Sequence, residues 1–321
     1  MGNRKIMWFI IVVILSIVPI SLATAAEKRI GLLTFSDQPR YLEAKRGIMD
    51  SLKESGYEEP QTEFIVETAD ANKAVAATFV KKFAAAKMDL ILTIGTHATL
   101  SIAGEIKDVP IVFTQVYDPV AAGIAKDWHS SGNNTTGTST KVPMCKLVEA
   151  LKQLAPVKIL GVLYKPGEKN SEIQLRNLEG IQAQCGIQVV PVALTKPEEI
   201  EQLLPVVLHR TDALYITGSN FVDSQIAAIV DMATKAKVIT ISHLEDLIEK
   251  GVLLGVGPNS YLIGHIAGEK AVSILKGGAQ PSSLPIETLK QFDVMLNLKT
   301  AKAAGFHIPE DLMKKANKII Q

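Results

Sequence analysis

From residue 28 onward, short apolar runs alternate with longer amphipathic stretches. Runs of about four to seven apolar residues occur at 30–35, 90–94 and 111–116, separated by segments with helical periodicity. Continuous apolar runs are typical of parallel strands covered on both faces. Strands separated by helices indicate right-handed βαβ crossovers. The pattern therefore predicts an α/β protein with a doubly wound parallel sheet.

The alternation occurs in two sets with a remainder. A small, polar segment at 130–140 predicts a linker or hinge, and the strand–helix pattern restarts over 143–256. An amphipathic helix at 263–275, a strand at 292–296 and helical ends to Gln321 are left over. This remainder indicates that the chain crosses between two units more than once. Several crossings form a hinge, and a hinge between two lobes forms a cleft.

We therefore predict two doubly wound parallel-sheet lobes joined by a multi-strand hinge. The N-terminal lobe is assigned residues 28–138 plus about 258–290. The C-terminal lobe is assigned residues 139–257 plus about 291–321.

The first 25 residues have the pattern of a secretory signal. Arg4 and Lys5 precede an apolar stretch at 6–18, and small residues at 23–25 form a cleavage site after Ala25. The alternative is an uncleaved membrane anchor, although the apolar stretch is short for a full span. We expect a cleaved, exported, periplasmic protein. Because no cysteine lies near the cleavage site, we do not expect lipid attachment.

Charge and cysteine content exclude several classes of protein. The chain has 34 Lys and Arg against 33 Asp and Glu, and its formal charge of +1 becomes −1 without Arg4 and Lys5. Such a balance gives no electrostatic footprint for nucleic acid, so no nucleic-acid partner is expected. Cys145 and Cys185 lack metal or redox spacing, and they are compatible with either a disulfide or two free thiols.

Common catalytic motifs are missing from the sequence. Gly255-Val256-Gly257 stops one glycine short of a dinucleotide fingerprint, and there is no P-loop and no GxSxG elbow. The six histidines are scattered without metal-ligand spacing. We therefore predict that the protein is not an enzyme and has neither a metal site nor a cofactor.

Polar loops follow several predicted strands, where open α/β sheets bind ligands. In the first lobe the candidate ligand-binding residues are Ser36, Gln38, Gly95, Thr96, His97, Tyr117, Asp118 and Thr138. In the second lobe they are Glu168, Asn170, Ser171, Ser219, Asn220, His243 and Asn259.

Each main candidate also has a purely structural interpretation. The helix start at Gly95-Thr96 could hold a carboxylate, or Thr96 could cap its own helix. Asp118 could pair with an ammonium group, or it could close a tight turn before Pro119. Asn170-Ser171 and Asn220 could contact a ligand or cap helices. The lone histidines His97 and His243 could instead be solvated or lie at helix starts.

Several motifs, in order and spacing, resemble a known family. The matching stretches are Gly95-Thr96 with Ala98, Tyr117-Asp118-Pro119-Val120, Asn134-Thr135-Thr136-Gly137-Thr138-Ser139, the run from Gly161 to Ser171, and Asn297-Leu298-Lys299-Thr300-Ala301. Together they resemble exported solute-binding proteins of ABC transporters with the type I periplasmic-binding fold, in the group commonly linked to tryptophan and tyrosine uptake.

The resemblance implies two lobes, three hinge crossings and a small ligand that the lobes clamp. It implies delivery of an amino acid or related organic anion to an ABC permease at the inner membrane, by a protein that we expect to be a monomer. By matching position it implies ligand contacts from Thr96, Asp118, Asn170-Ser171 and Asn220. The missing lipidation cysteine departs from Gram-positive relatives and fits a free periplasmic protein.

Two other functions have the same sequence features. A sensory module that reports ligand binding to a signalling partner would have the same lobes, and an exported α/β enzyme would need turnover. A transcription factor of this architecture is disfavoured because no DNA-binding headpiece precedes Lys28.

Overall fold

The computed structural model describes residues 27–321, so the predicted signal segment at 1–25 lies outside the described residues. Within residues 27–321, no helix combines the length and apolarity needed to cross a membrane.

The first sheet has five parallel strands in the order β2-β1-β3-β4-β5. Their bounds are Lys28–Thr34 (β1), Thr62–Thr68 (β2), Leu90–Ile94 (β3), Ile111–Val116 (β4) and Thr135–Ser139 (β5). Every residue of β3 and β4 is buried, as the continuous apolar runs predict.

Four helices pack around this sheet. They are Pro39–Glu54 (α1), Lys73–Ala85 (α2), Thr96–Glu105 (α3) and, from much later in the chain, Ser260–Leu275 (α11). A Cβ at Gly264 would lie 2.1 Å from the carbonyl oxygen of Ala44. Glycine is therefore required where α11 crosses α1, and this close packing ties the returning segment to the first lobe.

The second sheet has seven strands in the order β12-β11-β10-β9-β8-β6-β7. Their bounds are Ile159–Tyr164 (β6), Gln188–Ala193 (β7), Ala213–Ile216 (β8), Ile239–Ser242 (β9), Leu254–Gly257 (β10), Asp293–Asn297 (β11) and Ala316–Ile320 (β12). Strand β11 runs antiparallel to β10, so this sheet is not purely parallel as predicted.

The helices of the second lobe cover both faces of its sheet. They are Met144–Leu154 (α4), Lys169–Gly180 (α5), Gln182–Cys185 (α6), Glu198–Leu208 (α7), Asn220–Ser224 (α8), Ile226–Lys235 (α9), Glu245–Glu249 (α10), Leu298–Ala304 (α12) and Glu310–Lys315 (α13). A short 3-10 helix spans Pro281–Ser283.

Two sequence-based expectations about secondary structure are wrong. The predicted linker at 130–140 contains β5, whose five residues are all buried beside β4. Two of its threonines have hydroxyls with partners inside the protein: Thr136 donates to the carbonyl of Leu284 at 2.9 Å, and Thr138 donates to the carbonyl of Ile263 at 3.0 Å. The predicted helical end contains β12, which pairs with β11. Both segments are too polar to be recognised as strands from apolar periodicity.

The chain passes between the two sheets three times, at 140–143, 258–259 and 284–292. The first and third passages lie side by side. The backbone N–H of Ser139, at the end of β5, donates to the carbonyl of Glu287 at 2.8 Å, and the Thr288 hydroxyl donates to the carbonyl of Lys141 at 3.1 Å. Cys145 and Cys185 are both free thiols and partly exposed. Burial, together with the neighbouring Cys145, raises the pKa of Cys185 to about 12.

Candidate functional site

In each sheet the strand order reverses between two neighbouring strands, β1 and β3 in the first and β6 and β8 in the second. Ligands of open α/β sheets bind outside the carboxyl ends of the strands at such points. A cavity of about 510 Å³, which we call the cleft cavity, lies between these two places. It is lined by Phe35, Asp70, Ala71, Asn72, Lys73 and His97 from the first lobe and by Lys165, Pro166, Gly167, Glu168 and Asn220 from the second.

The N-terminus of α3 begins directly after β3. Gly95 is the N-cap residue, with φ of +100°, and no side chain caps the helix. The Thr96 hydroxyl therefore does not cap its own helix, which removes the structural alternative considered for it. The first backbone N–H groups of a helix have no partner within it and carry a partial positive charge. This end of α3 can accept a carboxylate.

His97, the second residue of α3, forms a ring wall of the cleft cavity with Phe35. The two rings stack with centroids 4.9 Å apart. Burial, together with the positive charges of Lys73 and Lys169, lowers the pKa of His97 to about 4. The imidazole is therefore neutral near pH 7, and its partner ring is apolar. This wall suits an apolar or aromatic group.

Two asparagine side chains supply polar atoms on the side of the second lobe. Asn170 donates its amide Nδ2 to the carbonyl of Gly218, and its Oδ1 is buried without a partner. Asn220 also has a buried Oδ1 without a partner. Across the cleft, the buried Ser36 hydroxyl has none either. Buried polar atoms are nearly always satisfied, so these three atoms are available to a ligand.

Glu168 and Ser219 organise the loops that carry these asparagines. Glu168 is 8% exposed, and its Oε2 accepts from the backbone N–H of Asn220 at 3.0 Å. Ser219 is the N-cap of α8, where its hydroxyl accepts from Val222 N–H at 3.1 Å. Of the two interpretations that the sequence left open for Asn220, the helix cap is wrong for α8. The side chain of Asn220 is consequently not used by the helix.

A second group of predicted residues forms a buried wall between the lobes. Tyr117 accepts at its hydroxyl from Asn177 Nδ2 at 3.3 Å, and its ring meets His243 edge-on at 5.2 Å. Nδ1 of His243 is 2.8 Å from the hydroxyl of Tyr215. Burial, together with the positive charge of Arg40, lowers the pKa of His243 to about 3. Neither histidine is solvated, although His97 does lie at a helix start, which was the other structural alternative considered for it.

The structure gives other predicted residues partners within the protein. Asp118 closes its turn by accepting from Ala121 N–H at 3.0 Å, and its other oxygen pairs with Lys141 Nζ at 2.6 Å. Both carboxylate oxygens therefore already accept hydrogen bonds, which argues against the ammonium-pairing interpretation. The Thr138 hydroxyl donates to the carbonyl of Ile263 at 3.0 Å inside the first lobe.

The remaining three candidates are similarly occupied. Asn259 caps α11, where its Oδ1 accepts from Leu262 N–H at 3.0 Å. The hydroxyl of Ser171 accepts from Lys165 N–H at 3.0 Å and lies 3.0 Å from that of Thr217. Gln38 precedes α1, and its side-chain oxygen accepts from Arg40. These residues position the loops rather than line the cleft cavity.

Sequence analysis missed an ion cluster that joins the two lobes. Arg40 of the first lobe pairs through Nη1 with Asp223 at 2.9 Å and with Asp246 at 2.7 Å, and all three side chains are 3% exposed. Lys250 also pairs with Asp223, at 2.6 Å. Although burial acts to lower the pKa of Arg40, Asp246, Tyr41 and Asp223 raise it above its ordinary value. We call these four residues (Arg40, Asp223, Asp246 and Lys250) the interlobe ion cluster.

No local pattern could have revealed this cluster, because 183 and 206 residues separate Arg40 from its two carboxylates. The two lysines of the cleft cavity, Lys73 and Lys165, could have been suspected as site residues from their positions after strands, although this is a weak signal. Lys165 lies in the loop directly after β6, and Lys73 begins α2 after the loop that follows β2. Among residues 27–321, no group of three or more His, Cys, Asp or Glu side chains is arranged to hold a metal ion.

The chain is similar to known binding proteins over most of its length. It is 29% identical, over 86% of this chain and 81% of the relative, to a protein named tyrosine-binding protein from Clostridioides difficile. A solved ABC domain in complex with L-Trp, from Streptococcus pneumonia, is 29% identical with a TM-score of 0.86. It covers 92% of this chain and 100% of that one.

A second solved structure provides an open relative. It is the ligand-free, open structure of a substrate binding protein with adhesive properties from Clostridium difficile. It is 30% identical with a TM-score of 0.74, covering 92% of this chain and 99% of that one. These similarities confirm the predicted two-lobe type I periplasmic-binding fold.

The sequence pattern of one family matches residues 29–320, which is nearly all of the described chain. That family is described as ABC transporter substrate binding protein; it is a binding family and not an enzyme class, and its members are normally exported. The match confirms the prediction of a solute-binding receptor for a small ligand. The chain belongs to the ABC transporter substrate binding protein family.

Proposed function

We propose that this chain is a periplasmic receptor that closes its two lobes around a small amino acid with an aromatic side chain. It then delivers that amino acid, unchanged, to an ABC permease in the inner membrane. The cleft cavity is the proposed binding site.

Three unpartnered polar atoms carry this proposal: Asn220 lines the cleft cavity, Ser36 directly follows the lining residue Phe35, and Asn170 lies two residues after the lining residue Glu168. Ser36 Oγ, Asn170 Oδ1 and Asn220 Oδ1 come from both lobes, and each is buried without a hydrogen bond. Leaving a buried polar group unsatisfied costs about 1–3 kcal/mol. One such atom in the lining of a cavity, with two more close to lining residues in the chain, is expected where a polar ligand supplies the missing partners.

The charges around the cleft cavity suit a zwitterion. Lys73 and Lys165 contribute two positive charges, and Asp70 and Glu168 contribute two negative charges. A carboxylate is matched by the N-terminus of α3. An ammonium group is matched by Glu168 and by the amide oxygens, which accept hydrogen bonds.

The stacked rings of Phe35 and His97 favour an apolar, planar side chain. Two relatives support the same kind of ligand, since one is named tyrosine-binding protein and the other was solved in complex with L-Trp. An aromatic amino acid is therefore the proposed ligand.

Lobe closure is supported by contacts that cross the cleft. Lys73 donates to the carbonyl of Gly167 at 3.2 Å, and Lys169 donates to that of Ala122 at 3.0 Å. The structure is also more similar to the L-Trp complex than to the open relative. A ligand with higher affinity for the closed state shifts the balance toward closure.

We propose that the first lobe comprises residues 28–138 with about 258–290. The second lobe then comprises residues 139–257 with about 291–321.

Calorimetry with matched amino-acid analogues tests the ligand. We expect L-tyrosine or L-tryptophan to bind at least tenfold more tightly than L-leucine. Tyramine lacks the carboxylate and 3-(4-hydroxyphenyl)propionate lacks the ammonium group, so both should bind far more weakly than L-tyrosine. Equal affinities for L-tyrosine and these two analogues would contradict the zwitterion site.

Transport is distinguished from sensing and from turnover by two further measurements. Recovery of the bound amino acid unchanged after long incubation supports a binding protein, and a new product supports the enzyme alternative. Uptake by membrane vesicles that contain the permease should require the added receptor. If uptake is independent of the receptor, the sensory alternative is favoured. Cell fractionation and sedimentation test the proposed periplasmic location and monomeric state.

A further inference from the structure

A second cavity lies at the hinge. It has a volume of about 560 Å³, within the range of about 300–1,000 Å³ typical of small-molecule sites. Residues of the first and third passages between the sheets line it, together with Trp128 of the first lobe and Lys146 of α4 in the second lobe. It shares no lining residue with the cleft cavity. We call it the hinge cavity.

The walls of the hinge cavity are held together by bonds between separate chain segments. The Thr288 hydroxyl donates to the carbonyl of Lys141 at 3.1 Å, which links the third passage to the first. The backbone N–H of Ile286 donates to the carbonyl of Trp128 at 2.8 Å. Lobe rotation changes the dihedral angles of hinge segments. The shape of the hinge cavity therefore depends on how far the lobes are closed.

The charge of the hinge cavity is strongly one-sided. Lys141, Lys146 and Lys290 line it, and none of the lining residues is acidic. Lys141 is neutralised by Asp118 at 2.6 Å. Within the described part of the chain, Lys146 and Lys290 form no ion pair with a carboxylate. Two uncompensated positive charges thus face the cavity, and they favour an anion.

Aromatic rings form the other recognition element. The ammonium group of Lys141 lies 5.4 Å from the ring centroid of Trp128, and that of Lys146 lies 5.5 Å from that of Phe292. Each ring thus lies beside a cationic group. An anion with a flat or aliphatic body can contact both at once, placing its body on the rings and its carboxylate near the ammonium groups.

We propose that the hinge cavity binds a small organic carboxylate with an aromatic or aliphatic body, and that its occupancy changes the affinity of the cleft for its amino acid. The second half of this proposal rests on the proposed function. Because the two passages that line the hinge cavity move with the lobes, a ligand there binds the open and closed states with different affinities. Linkage then requires reciprocal coupling between the two sites.

The sequence supplies a built-in reporter for the first half. The chain has two tryptophans, Trp8 and Trp128. A chain that starts at Ala26 keeps only Trp128, which lines the hinge cavity. We propose to titrate this chain with 4-phenylbutyrate and to follow the emission of Trp128, with the uncharged 4-phenylbutanamide as the matched probe.

We expect a saturable change in emission with 4-phenylbutyrate and at least tenfold weaker binding of the amide. The double variant Lys146→Gln with Lys290→Gln should weaken 4-phenylbutyrate binding at least tenfold. The control, Lys299→Gln with Lys302→Gln, changes two exposed lysines of α12 and should leave it unchanged. A response that does not saturate, or equal affinity in both double variants, would overturn the hinge site.

Calorimetry with L-tyrosine tests the coupling. Saturating 4-phenylbutyrate should change the L-tyrosine affinity by a fixed factor of threefold or more, and the Lys146→Gln with Lys290→Gln variant should abolish that change. The coupling is overturned if the L-tyrosine affinity does not change. It is also overturned if the affinity keeps falling as 4-phenylbutyrate is added, to the same extent in the unmodified chain and in the double variant, because this indicates direct competition for one site. If L-tyrosine does not bind at all, the proposed ligand fails while the Trp128 titration still decides the hinge site.

Discussion

At the residue scale, the cleft depends on side chains whose polar atoms the fold leaves unused. Asn220 is the sharpest case, because the neighbouring Ser219 caps α8 and Glu168 takes the backbone N–H of Asn220. Its buried Oδ1 therefore stabilises nothing within the protein. A residue of this kind is expected to contribute to binding rather than to folding.

Replacing Asn220 by alanine should separate these two effects. We expect Asn220→Ala to lower L-tyrosine affinity at least tenfold in calorimetry, with little change in Tm. The control is Asn297→Ala, since the buried Asn297 is fully used: it caps α12 and donates to the carbonyl of Ile248 at 2.8 Å. That variant should lower Tm and retain affinity. The reverse pattern would contradict the assignment of Asn220 to the site.

His97 makes stability depend on pH. Its pKa falls from 6.5 to about 4 on folding. Between those values the unfolded chain binds a proton that the folded chain does not, so the free energy of unfolding decreases as the pH falls. His97→Phe keeps a ring on Phe35 and should reduce this pH dependence by up to about 1.4 kcal/mol per pH unit near pH 5.

Denaturant unfolding between pH 7 and pH 4 measures this slope. The exposed His307 provides the control, because His307→Gln should retain the slope of the unmodified chain. An identical slope in His97→Phe would show that His97 gains its proton equally in both states.

At the scale of elements, α3 connects the sheet to the proposed carboxylate site. Gly95 precedes it with φ of +100°, and a Cβ there would lie 2.9 Å from the hydroxyl oxygen of Tyr41. Any side chain at this position strains the backbone and pushes against Tyr41. The direction in which α3 presents its N–H groups therefore depends on glycine.

Gly95→Ala should lower both Tm and L-tyrosine affinity. Combining it with Tyr41→Phe removes the nearest atom and should recover part of the loss. Gly104→Ala lies in the same helix, where an added Cβ meets nothing within 4 Å, and should stabilise the protein by about 0.5–1 kcal/mol. Thermal unfolding and calorimetry measure both quantities, and equal behaviour of the two alanine variants would refute the role of Gly95.

The sequence predicted elements wherever burial imposes an apolar pattern. Strands β3 and β4 are continuous apolar runs, and the helix starts at Thr96 and Asn170 could be placed from the loops that precede them. It failed for β5 and β12, because paired hydroxyl groups or partial exposure allow polar residues in those strands. In β5 and β12, contacts with distant parts of the chain and not the local apolar pattern determine that the segment is a strand.

At the scale of the whole molecule, the interlobe ion cluster connects closure to electrostatics. The sequence could not predict it, because the cluster exists only when the two lobes meet. In the closed arrangement, Arg40 from the first lobe compensates two buried carboxylates of the second lobe. Removing one partner of a buried pair leaves an uncompensated charge, which is strongly destabilising. Without Arg40 the closed state keeps only Lys250 beside Asp223 and Asp246, so opening is favoured.

Arg40 does not line the cleft cavity, yet Arg40→Gln should lower L-tyrosine affinity at least tenfold. The same substitution should raise the radius of gyration of the ligand-free protein in X-ray scattering. Adding Asp246→Asn removes one uncompensated charge and should restore part of the affinity. Arg46→Gln changes an exposed arginine of the same helix that pairs with Glu43, and should alter neither quantity. Loss of Tm with unchanged affinity in Arg40→Gln would mean that the cluster stabilises one lobe rather than the closed state.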